Sequence, residues 1–410
     1  MKLKDQLVLI RAKLNLSQEA LARELKVSFA TINRWEQGRV VPQRRYLIAL
    51  AEFCKKKNVQ FQGEKKMKRK VSSRGPKLVS LFSGCGGLDV GFEQAGFHRI
   101  WANDFDSDAQ ATFRLNLGDI DGRDIRNVSA KDIPEADIII AGFPCQPFSN
   151  AGNRKGVKDS RGMLYYECLR IIKDKKPKVF LFENVKGLMS SKYIDGRNLV
   201  DVIAGDVEEM GYAVTYKVVN AVDYGVPQRR ERLIMIGVRN DLNVNFSFPK
   251  PIPISEKQKL KYVLDIPAFV PNQVSWPLSP QAMSMLPYIP EGGSWKDIPY
   301  DKLPPRLKRI RDNMKKYHAP KFYRRFGMDE INGTITASAQ PENCGIIHPI
   351  LNRRFTIREV ARIQSFPDDY IFYDSTLREI TASYKVIGNA VPCKLAKAIA
   401  TAIMEQVFKK

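Results

Sequence analysis

The chain has 410 residues, 44% of them hydrophobic, which is enough to bury a sizeable core and too long for one ordinary domain. Its formal net charge of +23 and pI near 9.7 suit a polyanionic partner such as nucleic acid. Six scattered cysteines, no CxxC pair and three dispersed histidines argue against a disulfide framework or a metal centre, and no apolar run reads as a membrane span or, after residues 1–6, as a signal-peptide core, so a reduced cytoplasmic chain is expected.

Residues 1–56 read as a bundle of short helices. Leu7, Ile10 and Leu14 have helical spacing, and Ser17 caps a second helix with Ala20, Leu21 and Leu25 on one face. Lys26-Val27-Ser28 makes a turn, and Ser28 caps a third helix through Ile32 and Trp35 to Gly38. A fourth is expected over 44–54. Residues 57–76 are basic and polar with almost no apolar content, and read as a linker.

From Lys77 the pattern becomes strand, turn and helix in repetition. KLVSLF, HRIWAND, ADIIIAGF, KVFLFENV, TYKVVNA and RLIMIGV are short runs rich in Val, Ile and Phe, and helical stretches over 86–95, 161–173 and 198–210 separate several of them. This alternation predicts a mostly parallel α/β sheet over 77–240. Between 241 and 345 prolines crowd PKPIPI, FVPNQVSWPLSP and LPYIPEGGSWKDIP, which predicts irregular strands and loops in a smaller module. Over 346–410, FTIREVARIQSF and CKLAKAIATAIMEQ restore helical periodicity.

Four stations carry chemistry. The first strand runs into the glycine turn FSGCGGLDV, and the second ends in Asn103-Asp104-Phe105, an acid placed to accept from ribose hydroxyls. The turn lacks GxGxxG spacing, which disfavours a dinucleotide. Strand ADIIIA leads into GFPCQPFS, where Cys145 is held between two prolines, and KVFLF delivers Glu183, a carboxylate costly at the end of an apolar strand unless used or paired. QRRER (228–232) precedes the last strand and GNAVP (388–392) the last helix.

In order and spacing, FSGCGGLDVGF, the acid of WANDFD, GFPCQPFS, FENV, PQRRERL, REVARIQSFPDDY and GNAVP resemble the motif series of bacterial DNA cytosine-5 methyltransferases of restriction–modification type over residues 77–410. The resemblance implies a Rossmann-like sheet dependent on S-adenosylmethionine, with 241–345 as a target-recognition domain. It implies that Cys145 is the nucleophile toward carbon 6 of the base, that Glu183 donates to ring nitrogen 3, and that Arg230 and Arg232 flank the base. A base in a duplex must be flipped out of the stack to be reached. For the methyl donor it implies Phe82 against the adenine, the turn residues Ser83, Gly84, Gly86, Gly87 and Leu88, Asp104 on the ribose with Phe105 beside it, and Asp124 with Ile125 at the adenine amino group. Gly142, Pro144 and Leu164 complete the wall, and Asn389 and Ala390 close the methionine end. Gln146 and Ser149 fall on the DNA side. In the recognition region Lys315, Lys316, Lys321, Arg324 and Arg325, with Tyr317, Phe322 and Tyr323 interleaved, are candidate DNA contacts.

SQEALARELKVSFATINRWEQGRVVP resembles the second and third helices of phage-repressor helix-turn-helix domains. That places Ser28, Phe29, Thr31 and Arg34 near base edges of duplex DNA, with operator binding as a consequence. Two alternatives remain at this point: an RNA cytosine-5 methyltransferase, and a regulator whose methyltransferase part is inert.

Overall fold

The computed structural model describes residues 75–144, 164–193, 195–267, 270–314, 322–342 and 344–409, and among the first 57 residues the run 16–37 with scattered flanking positions. Two compact units emerge: residues 1–70 with 265–271, and residues 71–264 with 272–410.

In the first unit, α1 (Gln18–Glu24) starts at Ser17, whose hydroxyl accepts from the Ala20 amide at 3.0 Å, and α2 (Phe29–Glu36) starts at Ser28, which accepts from Thr31 at 3.2 Å. Both caps stand where the sequence put them. Leu7, Ile10, Leu21, Leu25, Ile32 and Trp35 share one core with Leu50 and Phe53. Glu36, at the end of α2, accepts from Arg11 and Gln18, both at 2.6 Å. Most of the expected fourth helix, and the linker up to 74, lie outside the described residues.

The second unit holds all six expected strands: β1 (Lys77–Leu81), β2 (His98–Asn103), β3 (Ile138–Ala141), β4 (Val179–Val185), β5 (Tyr212–Asn220) and β6 (Glu231–Arg239). Their order is β2-β1-β3-β4-β6-β5. The first four are parallel, and β6 alone is reversed, antiparallel to both β4 and β5, so the sheet is mostly parallel, as expected, with one reversed strand that makes it mixed. The cause is the short 221–230 connection, which carries one helical turn (Ala221–Tyr224); a parallel return needs a crossover of a dozen residues or more. Alternate side chains of β1, β3 and β4 feed two cores. One face packs α5 (Leu164–Lys175) and α6 (Leu199–Glu208); the other packs α3 (Gly87–Gln94) and α11 (Cys393–Ile403). The α3–α11 approach is close: a Cβ on Gly91 would stand 2.4 Å from the Ala396 Cβ and 2.6 Å from the Lys397 amide. Helix α4 (Ser107–Leu117) follows β2.

The 241–345 stretch departs from expectation. Among the described residues it forms no strand; it is built from single turns and short helices, including α7 (Pro280–Met285) and α8 (Pro305–Asp312). Its prolines open helices, where a missing N–H costs nothing, instead of breaking strands. Trp295 is fully buried there among Leu286, Ile289, Ile298, Leu307 and Ile310. Two cations expected at DNA are used internally. Arg325 is buried and donates to the Leu286 carbonyl at 3.2 Å and to Asn352 Oδ1 at 2.7 Å, and Arg324 makes a two-pronged pair with Glu330. Tyr323 is buried and Phe322 partly so, while Lys315, Lys316, Tyr317 and Lys321 lie outside the described residues.

Helices α9 (Ile357–Ile363), α10 (Leu377–Asn389) and α11 complete the unit. The stretch Leu377–Phe408 is long and apolar enough to cross a membrane by composition, contrary to the sequence reading, but most of it is buried in the core of the unit and Pro392 interrupts it.

Candidate active site

The ends of β1, β2, β3 and β4 open into one cleft of about 710 Å³, at the carboxyl edge of the parallel strands where α/β sheets bind ligands. After β1 the chain adopts left-handed backbone at Phe82 (φ 52°), Gly84 (58°) and Gly86 (85°), angles that strain Phe82 and cost the glycines nothing, and that fold the turn back on itself. Ser83 is pinned by its hydroxyl to Ser80, and the Gly84 amide donates to Asp104 Oδ2 at 2.7 Å. Asp104 also accepts from the Asp106 amide at 2.8 Å, and burial pushes its carboxyl up from its ordinary range. Gly87 must lack a side chain, because a Cβ would meet the Val391 carbonyl oxygen at 2.3 Å.

Most residues expected at the donor line this cleft: Phe82, Ser83, Gly84, Gly87, Leu88, Asp104, Phe105, Asp124, Ile125, Gly142, Pro144, Leu164, Asn389 and Ala390. Gly86 does not. It sits on the back of the turn, where a Cβ would strike Leu117 at 2.3 Å, so its constraint is packing rather than ligand approach. Asp124 reaches the cleft because Asn103 ties the strand end to the carbonyls of Asp121 and Arg123, at 3.1 and 2.8 Å. There its carboxylate pairs with Arg126, whose guanidinium holds it below the usual range.

At the other end of the cleft, Glu183 Oε1 lies 2.9 Å from Arg232 Nε. Burial raises the Glu183 carboxyl above its ordinary range, and Arg232 and Arg230 pull it back. Arg230 lines the cleft too, but its guanidinium donates to the carbonyls of Ile335 (2.7 Å), Gly388 (2.8 Å) and Ala390 (3.2 Å). The two arginines expected beside the base therefore have different settings: Arg232 pairs with Glu183, whereas the Arg230 terminal nitrogens already bind three carbonyls on two backbone segments. Cys145, Gln146 and Ser149 lie outside the described residues; Pro144 lines the cleft just before them.

Sequence reading missed several contributors. Asn184, buried behind Glu183, donates to the Phe143 carbonyl at 3.2 Å and so ties β4 to the segment leading to Cys145. Residues 334–337 form part of the wall, held by Gln228, which accepts from the Ile335 amide at 2.9 Å, and by Thr334, which donates to the Arg229 carbonyl at 2.8 Å.

In the first unit, Ser28 and Thr31 hydrogen-bond each other at 2.8 Å, Arg34 donates back to the Ala30 carbonyl at 3.2 Å, and Phe29 is 48% exposed. Among the described residues no group of three or more His, Cys, Asp or Glu is placed to hold a metal ion.

The family model for C-5 cytosine-specific DNA methylases matches residues 76–405. The chain belongs to this family. A helix-turn-helix model matches residues 7–58. The type II methyltransferase M.NgoFVII of Neisseria gonorrhoeae is 42% identical over 344 residues, covering 80% of this chain and 87% of that protein. The type II methyltransferase M.PspPI of Psychrobacter sp. (strain TA137) is 37% identical over 426 residues, covering 95% and 96%. Among solved structures, a DNA modification methyltransferase encoded in an Escherichia coli prophage superposes with a TM-score of 0.58 at 23% identity, covering 81% of this chain and 99% of that one. That likeness is one of fold.

The methyltransferase acts on DNA cytosine and uses S-adenosylmethionine. The cleft fits that donor. Gly84 and Gly87 line it; a Gly84 Cβ would meet nothing within 4 Å, so the turn's backbone is open to a ligand there, and Asp104 accepts from the Gly84 amide beside it. When bound, the donor supplies an electrophilic methyl group.

Proposed function

We propose that the enzyme methylates carbon 5 of a cytosine flipped from a specific duplex sequence, with Cys145 as nucleophile and Glu183 as the proton donor at ring nitrogen 3. Cytosine is a poor electrophile. A thiolate adds to carbon 6 only if the developing negative charge is neutralised at nitrogen 3, and a carboxyl whose proton is retained by burial can do this. The carrying observation is the placement of Glu183: buried, 2.9 Å from Arg232, and beside Gly142, where an added Cβ would stand 3.4 Å from its Oε2. Arg232 keeps the carboxyl aimed and balances its charge once the proton has left. After methylation, loss of the carbon 5 proton lets the Cys145 sulfur depart and restores the ring.

On this reading Asp104 binds the ribose, Phe82 and Phe105 hold the adenine, Asp124 and Ile125 meet the adenine edge, and Asn389 and Ala390 close the methionine end. Residues 77–240 and 346–410 form the catalytic part, 241–345 reads the target, 57–76 is a linker, and 1–56 binds DNA through Ser28, Phe29, Thr31 and Arg34 and represses a promoter. Gln146 and Ser149 stand on the DNA side. The enzyme works in the cytoplasm and protects host DNA from a cognate endonuclease, in keeping with relatives named as type II methyltransferases. Bisulfite sequencing of plasmid from cells expressing the chain or Cys145→Ala tests this. Cytosines protected within one recurring sequence, only with the unaltered chain, support the proposal; protection retained in Cys145→Ala refutes it.

A further inference from the structure

The glycine turn has a back as well as a front. Ser83, Gly84, Gly87 and Leu88 face the cleft, while Cys85 is 1% exposed and Gly86 presses on a wall of Leu117, Phe113 and Tyr370. Tyr370 is fully buried, its ring 4.9 Å from that of Phe366 and 5.4 Å from that of Phe372, and its hydroxyl donates to the Cys85 carbonyl. The Tyr370 carbonyl accepts from Arg358 at 2.6 Å. Arg358 is itself fully buried and donates to Asn272 Oδ1 at 3.2 Å. Asn272 adopts a left-handed φ of 70°; its Oδ1 also accepts from the Phe372 amide at 3.0 Å, and its side-chain amide donates to the Phe372 carbonyl at 2.7 Å. Tyr370 is therefore held at both ends: Arg358, braced by Asn272, binds its backbone carbonyl, and its hydroxyl binds the carbonyl inside the turn.

We propose that Tyr370 is a positioning residue for methyl-donor binding, setting the glycine turn from behind, and that Arg358 and Asn272 fix Tyr370 in turn. This rests on the reading of the turn as the donor's seat. The physical need has two parts: Phe82, with a side chain, is strained at its left-handed φ of 52° and persists there only where surrounding contacts over-determine it, while Gly84 and Gly86 are so free in backbone that contacts must choose their conformation. The Tyr370 hydroxyl anchors the carbonyl midway between two of them. It touches neither donor nor base, so its loss acts on affinity rather than on the chemical step.

The test is calorimetric titration of the full chain with S-adenosylhomocysteine, alongside steady-state methylation of plasmid DNA. Tyr370→Phe removes one buried atom; the dissociation constant and the donor KM are expected to rise about two- to tenfold, with kcat at saturating donor within about twofold. Asn272→Gly keeps the left-handed backbone and deletes the one side-chain acceptor described above for Arg358, leaving its bond to the Tyr370 carbonyl unbraced. It is expected to raise the same constant, and the double variant to be no weaker than Tyr370→Phe alone. Tyr370→Phe with a lower unfolding midpoint and an unchanged dissociation constant would overturn the proposal, leaving the tyrosine a packing residue. Fully additive effects would overturn the role of Asn272 and Arg358. Asp104→Ala, expected to abolish titration, separates the outcomes: if it binds normally, the donor's seat is elsewhere and the underlying reading falls instead.

Discussion

Asp89 sets up a pH-dependent stability that can be worked out in advance. It lies on α3 just after the glycine turn and is fully buried. Arg99 Nε stands 3.6 Å from its Oδ1 and 3.2 Å from Glu93 Oε1, so one guanidinium faces two buried carboxylates. Burial pushes Asp89 up from 3.8 to about 7, with Arg99 opposing and Glu93 adding. The folded state therefore holds a proton that the unfolded chain releases near pH 4. Because the folded value is the higher one, the stability gained is complete below the unfolded value and is lost as pH rises through the folded one. Three units of separation correspond to about 4 kcal/mol, of which about 3 falls between roughly pH 5 and pH 8. Asp89→Asn keeps the shape and cannot ionise, so it should lose about 3 kcal/mol less than the unaltered chain across that interval. Urea unfolding of both proteins at the two pH values, followed by far-ultraviolet circular dichroism, measures the difference, and groups common to both cancel. Equal pH dependence in the two proteins would refute the assignment of a retained proton to this site.

Three further outcomes follow from the geometry. Glu183→Gln preserves size and an acceptor for Arg232 but removes the acidic proton; single-turnover methyl transfer should fall about 10²–10⁴-fold with DNA binding retained, and a loss under tenfold would remove Glu183 from the chemistry. Gly87→Ala drives a Cβ to 2.3 Å from the Val391 carbonyl oxygen, and should cost about 1–3 kcal/mol in thermal unfolding together with donor affinity measured by calorimetry. Arg325→Met should destabilise the chain by about 1–3 kcal/mol, since it orphans buried carbonyls, yet leave the salt dependence of DNA binding unchanged; a slope shallower by about one would mean that Arg325 neutralises a phosphate after all.

The strands were legible because Val, Ile and Phe runs bounded by turn residues have few other uses, and the helix caps Ser17 and Ser28 announced themselves by residue type. The reversed β6 was not legible, since strand direction depends on how short a connection is and what it packs against. The 241–345 stretch misled because proline is equally at home opening a helix and interrupting a strand. In the site, Asp104 and Glu183 could be located as acids at strand ends, where burial gives them meaning. The different settings of Arg230 and Arg232, two residues apart, could not: which guanidinium meets carbonyls depends on Ile335, Gly388 and Ala390, all more than a hundred positions away. Asn184 and Thr334 were hidden for the same reason, their partners being backbone atoms that carry no residue identity.

The packing of α3 against α11 also orders events on the ribosome. Gly91 and Ala396 touch across about 300 residues of sequence, roughly 15–60 s of synthesis at 5–20 residues per second. Throughout that interval the first helix of the catalytic unit has no α11 to cover it. The carbonyls of Gly388 and Ala390 that occupy Arg230 emerge about 160 residues after it. A nascent chain therefore lacks the complete cleft wall until residues 388–391 have been made, after the whole 241–345 stretch, and a message cut short before that point yields a fragment without it.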